Sequence, residues 1–281
     1  MTSNRRVDAS RRDFLNSAVG VGFALAVQPI AASAILTDGD GLSAGAVEIP
    51  TGPAVMPGYM AKPAAAGGPL PVVLVVQEIF GVHEHIRDLC RRLAKAGYLA
   101  VAPELYFRQG DPSKVASIGE LLSGLVSKVP DSQVLADLDA TLAWAGGHGG
   151  DVKRAAVTGF CWGGRQAWLY AAHNPALKAG AAWYGRLQGE AGANTPRQPL
   201  DVVAQLHAPV LGLYGGLDKG IPLESVDKMK AALRAAGKPS EIVVYPEADH
   251  GFNADYRPTY NAAAAADAWR RMLQWFKQHG V

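Results

Sequence analysis

The chain has 281 residues, 49% hydrophobic and 19% charged, a balance that excludes a disordered or fibrous protein. A formal charge of only +2 leaves no electrostatic footprint for nucleic acid, and two cysteines, Cys90 and Cys161, exclude a disulfide scaffold and a four-cysteine zinc site. The length suits one large α/β domain or two small ones, with ample residues for a core.

The first 34 residues read as a removable leader. Arg11-Arg12 followed by Asp13-Phe14-Leu15 opens it, an uncharged and mostly apolar run follows over 17–27, and Ala32-Ser33-Ala34 supplies a small-residue cleavage pattern. The arginine pair before Phe-Leu resembles a twin-arginine (Tat) leader, which implies export of the folded protein by the Tat machinery and a periplasmic or secreted location. The apolar run is short of the roughly 20 residues of a membrane span, and no later stretch approaches that length. Taking four arginines and two aspartates away with the leader leaves 23 basic and 23 acidic residues, so the remaining chain is near neutral. Residues 35–46 read as a linker and 47–281 as one domain.

Past the leader, buried strands alternate with amphipathic helices. Residues 71–77 (PVVLVVQ) form a mostly β-branched run, as a strand covered on both faces requires. Leu89, Cys90, Leu93 and Ala94 give helical spacing over 87–96, and 98–102 reads as a second buried strand. Helix signals cover 121–128 and 133–145, then a strand at 155–160 and a helix from Cys161 to His173. Strands recur at 179–184, 210–214 and 241–245, and a last helix spans 261–278. Such alternation predicts an α/β fold, a mostly parallel sheet with helices on both faces. The Pro/Gly-rich stretches 63–69 and 190–199 read as surface loops.

The most informative segment is Gly159-Phe160-Cys161-Trp162-Gly163-Gly164, between a strand and a helix. G-x-C-x-G is the cysteine form of the strand-turn-helix nucleophile elbow of α/β-hydrolases. Its glycines admit a turn too sharp for side chains, which lifts the central residue above the sheet's carboxyl edge. A helix N-terminus beneath the sulfur favours the thiolate. The plainer reading is a buried structural cysteine in a glycine-rich turn.

A thiol nucleophile needs a base and an orienting acid, which in this fold follow it in the order acid, histidine. His173 ends the helix that the elbow starts, His279 is two residues from the C-terminus, and His207 precedes its strand on the opposite edge. His250 follows the strand 241–245 on the same edge as Cys161 and is the predicted base. Asp218 leaves the preceding strand at that edge; Asp249, adjacent to the histidine, is the competing carboxylate, and Asp227 sits in a helical stretch. In this arrangement Asp218 holds the tautomer of His250, which activates Cys161. The backbone N–H groups of Trp162 and Ile79 are the expected oxyanion donors. Glu78, at the end of a buried strand, needs a partner, and the expected one is Cys161 itself.

These segments together resemble the dienelactone hydrolase (carboxymethylenebutenolidase) family of α/β-hydrolases. The resemblance is carried by Gln77-Glu78-Ile79-Phe80-Gly81, Pro103-Glu104-Leu105-Tyr106-Phe107-Arg108, Gly159 to Gly164, Trp183-Tyr184-Gly185, Gly216-Leu217-Asp218 and His250-Gly251-Phe252. It implies a Cys161–Asp218–His250 triad, a Glu78 that holds the resting thiol, and cofactor-free hydrolysis of a small lactone or ester through a thioester. It also implies Arg108 as one of two arginines gripping a substrate carboxylate, with Tyr106 beside it as a further substrate contact. The second arginine has no counterpart at Asn253-Ala254; Arg257 lies three positions further on.

Other features have plainer readings. His83-Glu84-His85 lacks metal-ligand spacing and reads as a solvated helix start. Trp162, Trp183 and Tyr184 are read either as substrate contacts or as core and rim packing. Cys90 reads as a core thiol rather than a disulfide partner of Cys161. A non-catalytic binding protein and a thiol-redox protein are the alternatives to a hydrolase. No CxxC supports the latter, and no triad member is missing.

Overall fold

A computed structural model describes residues 35–281; the leader reading, residues 1–34, lies outside the described residues. Two strands that the apolar pattern does not announce come first. β1 (Leu42–Thr51) and β2 (Ala54–Pro63) form an antiparallel hairpin closed by a turn in which Gly52 has φ of +78°. Their side chains are mostly half-buried or exposed, so no continuous apolar run marks them. The linker reading of 35–46 is corrected here, because β1 begins at Leu42.

β3 (Leu70–Val76) is the predicted buried strand, and Val72 to Val76 are fully inaccessible. α1 (Glu84–Lys95) leads to β4 (Leu99–Pro103), then α2 (Ile118–Gly124), a short 3-10 turn at Val126–Lys128, and α3 (Asp131–Gly147). β5 (Gly150–Phe160) starts before the apolar run at 155, and its pairing with β3 shifts register between Pro71 and Val72. α4 (Trp162–His173), β6 (Ala179–Trp183), a 3-10 helix at Pro199–Gln205, β7 (Val210–Gly215), α5 (Leu223–Ala235), β8 (Glu241–Tyr245) and α6 (Ala262–Gln278) complete the chain.

All eight strands form one sheet in the order β1-β2-β4-β3-β5-β6-β7-β8. β1, β2 and β4 pair antiparallel, and the remaining neighbours are parallel. This is the predicted α/β fold, with parallel strands buried beneath helices on both faces. The chain reverses its winding between β3 and β5, so the loops leaving their carboxyl ends diverge and open a crevice there. Among the described residues no helix is long and apolar enough to cross a membrane.

Candidate active site

Five parallel strands deliver side chains to one sheet edge: β3 releases Glu78 and Ile79, β5 Cys161, β6 Tyr184, β7 Asp218 and β8 His250. Cys161 sits at φ 56° and ψ −113°, a region that costs a non-glycine residue roughly 1–3 kcal/mol. The fold holds it there through its glycines. A Cβ on Gly159 would lie 2.0 Å from the Gly163 carbonyl oxygen, and one on Gly163 would meet the carbonyl oxygens of Val76 and Gln77 at 2.4 Å. Cys161 N–H also donates to the Trp183 carbonyl at 3.0 Å, which ties the turn to β6.

The sulfur of Cys161 is 3.2 Å from Nε2 of His250, and Nδ1 of His250 is 2.7 Å from Asp218 Oδ2. All three residues are buried. The other carboxylate oxygen of Asp218 accepts the N–H groups of Gly220 (2.8 Å) and Ile221 (3.1 Å), so the carboxylate is fixed before it meets the ring. Burial would lower the basicity of His250, but the charge of the Cys161 sulfur and the bond to Asp218 outweigh it and raise its pKa to about 10. Asp249 does not compete for the ring: its carboxylate accepts the backbone N–H of His250 at 2.6 Å. The other candidates lie elsewhere, His173 on Asp139 at 2.7 Å, His279 beside Trp275, and Asp227 exposed on α5.

Glu78 departs from its expected place. Its buried carboxylate pairs with Arg257 Nη2 at 3.2 Å, accepts a short bond from the Tyr256 hydroxyl, and lies 3.6 Å from His83 Nε2. Burial opposes its charge, yet the Arg257 guanidinium beside it, helped by His83, holds the carboxyl well below the usual range. The reason is electrostatic: a fully buried carboxylate is far better compensated by a guanidinium than by a thiol. The solvated reading of His83 and His85 is corrected by the same cluster. His83 is nearly buried, His85 is buried and 3.0 Å from Asp255, and both rings pack edge-on against Tyr256.

A cavity of about 420 Å³ opens over the sulfur, large enough for a small organic molecule. Ile79, Cys161, Trp162 and Tyr184 line it together with Leu122, Val126, Arg186, Glu190 and Gln198. Ile79 and Trp162, the expected oxyanion donors, thus flank Cys161; at the first position of α4 the Trp162 N–H has no acceptor within the helix. Arg165 also lines the cavity, but its guanidinium is spent on Asp131 at 2.6 and 2.7 Å.

Three expected substrate contacts lie away from the cavity lining. Arg108 forms a bidentate pair with Asp137 at 2.7 and 3.0 Å and reaches Thr51 at 3.1 Å, so its fork is already filled. Trp183 is fully buried, packs on Phe160, Phe252 and Trp269, and donates to Thr158 at 3.1 Å, which makes it core. Tyr106 is also fully buried, with its ring packed 5.0 Å from that of the cavity-lining Trp162. Both cysteines are free; Cys90 is fully buried in α1, and burial pushes its thiol strongly up. Among the described residues no three His, Cys, Asp or Glu side chains could together hold a metal ion.

The sequence pattern of the dienelactone hydrolase family matches residues 56–280. The chain belongs to that family. Similar proteins named by assignment as carboxymethylenebutenolidases occur in Escherichia coli strain K12 (62% identical over 259 residues, 92% of this chain and 96% of that one) and in Methylorubrum extorquens (61% over 274 residues, 97% and 94%). A crystal structure from Klebsiella pneumoniae, also named by assignment as a dienelactone hydrolase, is 62% identical and superimposes with a TM-score of 0.84 over 85% of this chain and all of that one. The α/β-hydrolase architecture of this chain is therefore that of its family, and the chain is a hydrolase.

Proposed function

We propose that this dienelactone hydrolase family member cleaves a small carboxylic ester or lactone, with Cys161 as nucleophile, His250 as proton carrier and Asp218 as its orienting acid. The observation that carries the reading is the unbroken line from sulfur through imidazole to carboxylate, at 3.2 and 2.7 Å, opening on the cavity. With its pKa raised to about 10 by the Cys161 sulfur and Asp218, against the opposing effect of burial, His250 is a strong enough base to take the thiol proton as attack begins.

The thiolate attacks the carbonyl carbon, a C–S bond forms, and the oxyanion is met by the N–H groups of Ile79 and Trp162. As the C–O bond breaks, His250 gives its proton to the leaving oxygen, leaving a thioester and a neutral imidazole. Neutral His250 then takes a proton from water. The resulting hydroxide attacks the thioester, the C–S bond breaks, and the carboxylic acid departs and gives its proton to solvent as the thiolate–imidazolium pair is restored. Glu78, held by Arg257 and Tyr256, takes no part in holding the thiol in this arrangement. A slowly deacylated ester should add one acyl mass to Cys161 in intact-protein mass spectrometry, and prior alkylation with iodoacetamide should prevent it. Turnover without any acyl adduct on this cysteine would defeat the reading.

We propose too that residues 1–34 direct export by the Tat route to the periplasm, on the strength of Arg11-Arg12 and the apolar run that follows. Replacing both arginines by lysine is expected to leave the precursor in the cytoplasmic fraction, and unchanged export of that variant would exclude this route.

A further inference from the structure

Tyr184 combines three features that packing does not explain. Its backbone sits at φ 38°, one of only two positive-φ positions among the described non-glycine residues, the other being Cys161 itself. Its side chain is fully buried and lines the cavity over the sulfur, yet among the described residues its hydroxyl has no hydrogen-bond partner. Its ring stands edge-on to that of His250, with centroids 5.2 Å apart. A buried hydroxyl without a partner costs roughly 1–3 kcal/mol, and a strained backbone adds to that. Such costs cluster where a ligand or transition state supplies what the resting protein lacks.

The backbone around Tyr184 is locked to the nucleophile's own turn. Trp183, the residue before it, accepts the Cys161 N–H at 3.0 Å, and Tyr184 N–H donates to Leu213 at 2.8 Å. Gly185, the residue after it, lies so close to α4 that a Cβ there would fall 2.3 Å from the Gly164 carbonyl carbon. Sulfur and phenol are thus held on one frame rather than on independent loops. Glu78, the nearby acceptor that could have claimed the phenol, is instead served by Tyr256 and Arg257.

Resting on the Cys161 reading above, we propose that the Tyr184 hydroxyl is a further catalytic donor, hydrogen-bonded to the oxygen that leaves as the acyl–oxygen bond breaks. Its position against His250, the group that hands that oxygen its proton, sets it beside the leaving group, whereas the carbonyl oxygen is served by Ile79 and Trp162. The phenol keeps its own proton throughout: burial, joined by the negative charges of Glu78 and Cys161, holds its ionisation well above the usual range, so it donates without titrating. No atom is transferred from Tyr184. The donated bond stabilises the developing alkoxide or enolate while the His250 proton arrives.

The test is Tyr184→Phe, measured on esters that share one acyl group and differ in their leaving oxygen. For alkyl esters and lactones, whose leaving oxygens carry most charge, kcat is expected to fall roughly 10- to 100-fold. For nitrophenyl esters, which leave without help, the loss should stay below about threefold. Equal loss across the series, or none, would overturn the proposal, because a purely structural role moves all substrates together. Should the phenylalanine variant fail to fold, fluorotyrosine placed at position 184 keeps the ring and acidifies the donor. The dependence of kcat on leaving group should then flatten, and an unchanged slope would overturn the proposal. Wild-type turnover insensitive to iodoacetamide would instead strike the Cys161 reading, a result distinguishable from either outcome at Tyr184.

Discussion

Cys161→Ala is expected to lower ester turnover by about four to six orders of magnitude, as removal of a covalent nucleophile does elsewhere. The fold should survive. The side chain at 161 is small, the strained backbone is set by Gly159, Gly163 and the bond to Trp183 rather than by the sulfur, and alanine meets the same φ of 56° with no larger side chain. Comparing kcat/KM and Tm of the two proteins on one ester separates chemistry from folding. Activity within about tenfold of wild type in the alanine variant would end the case for covalent catalysis, since binding and oxyanion donors alone do not sustain such rates.

Arg257→Met is expected to cost about 3–5 kcal/mol of stability, because it leaves the fully buried Glu78 carboxylate without its guanidinium. At about 2–4 °C per kcal/mol for a chain of this size, Tm should drop by roughly 10 °C. The pH dependence carries a sign. In the wild type Glu78 is held below its ordinary value of 4.5, so its contribution to stability is present above that pH and is lost as pH falls toward the folded value. In the variant burial acts against weaker opposition, the carboxyl moves up, and the native state keeps a proton that the unfolded chain releases. The stability gap between the two proteins should therefore widen as pH rises from about 4 toward neutrality. Thermal melts across that range test it, and a gap independent of pH would mean that Arg257 supports the fold by packing alone.

The elbow was legible because sterics write it into the sequence. Only glycine tolerates the contacts made at positions 159 and 163, and only a residue between a buried strand and a helix can be raised above the sheet edge. His250 and Asp218 followed from topology, since loops after parallel strands share one edge, and their geometry agrees at 2.7 Å. The hairpin of β1 and β2 was not legible, because strands wetted on much of their surface carry no apolar run and are defined by pairing. The long start of β5 was hidden for a related reason: Asp151 to Arg154 are half-buried or exposed and carry three charged residues, and β3 pairs only with Gly150 and Asp151 before its register shifts to Ala155.

Charged partners were the least legible part of the site. The sequence required that Glu78 be compensated, but it could not choose among the thiol, a histidine or an arginine far along the chain. Arg257 lies 179 positions from Glu78, and only the return of the loop after β8 across the carboxyl edge brings it there. No local pattern marks it, since Arg257 stands between Tyr256 and an exposed Pro258 in a stretch that mixes polar and apolar residues. Arg108 failed for the opposite reason: its family position was matched, but Asp137 on α3 fills its fork.

By itself, then, the sequence determined the α/β class, the strained cysteine and the edge on which a histidine and an aspartate would meet it, because local sterics and strand polarity act over short stretches. It also placed the whole formal excess of positive charge in residues 1–34, leaving a near-neutral domain. The tertiary structure alone decided which charge answers Glu78, which aromatic side chains are core and which face the cavity, and that Tyr184 shares the rigid frame of the sulfur. Those outcomes depend on side chains meeting across loops of independent strands, where burial and Coulomb energy, rather than spacing along the chain, select the partner.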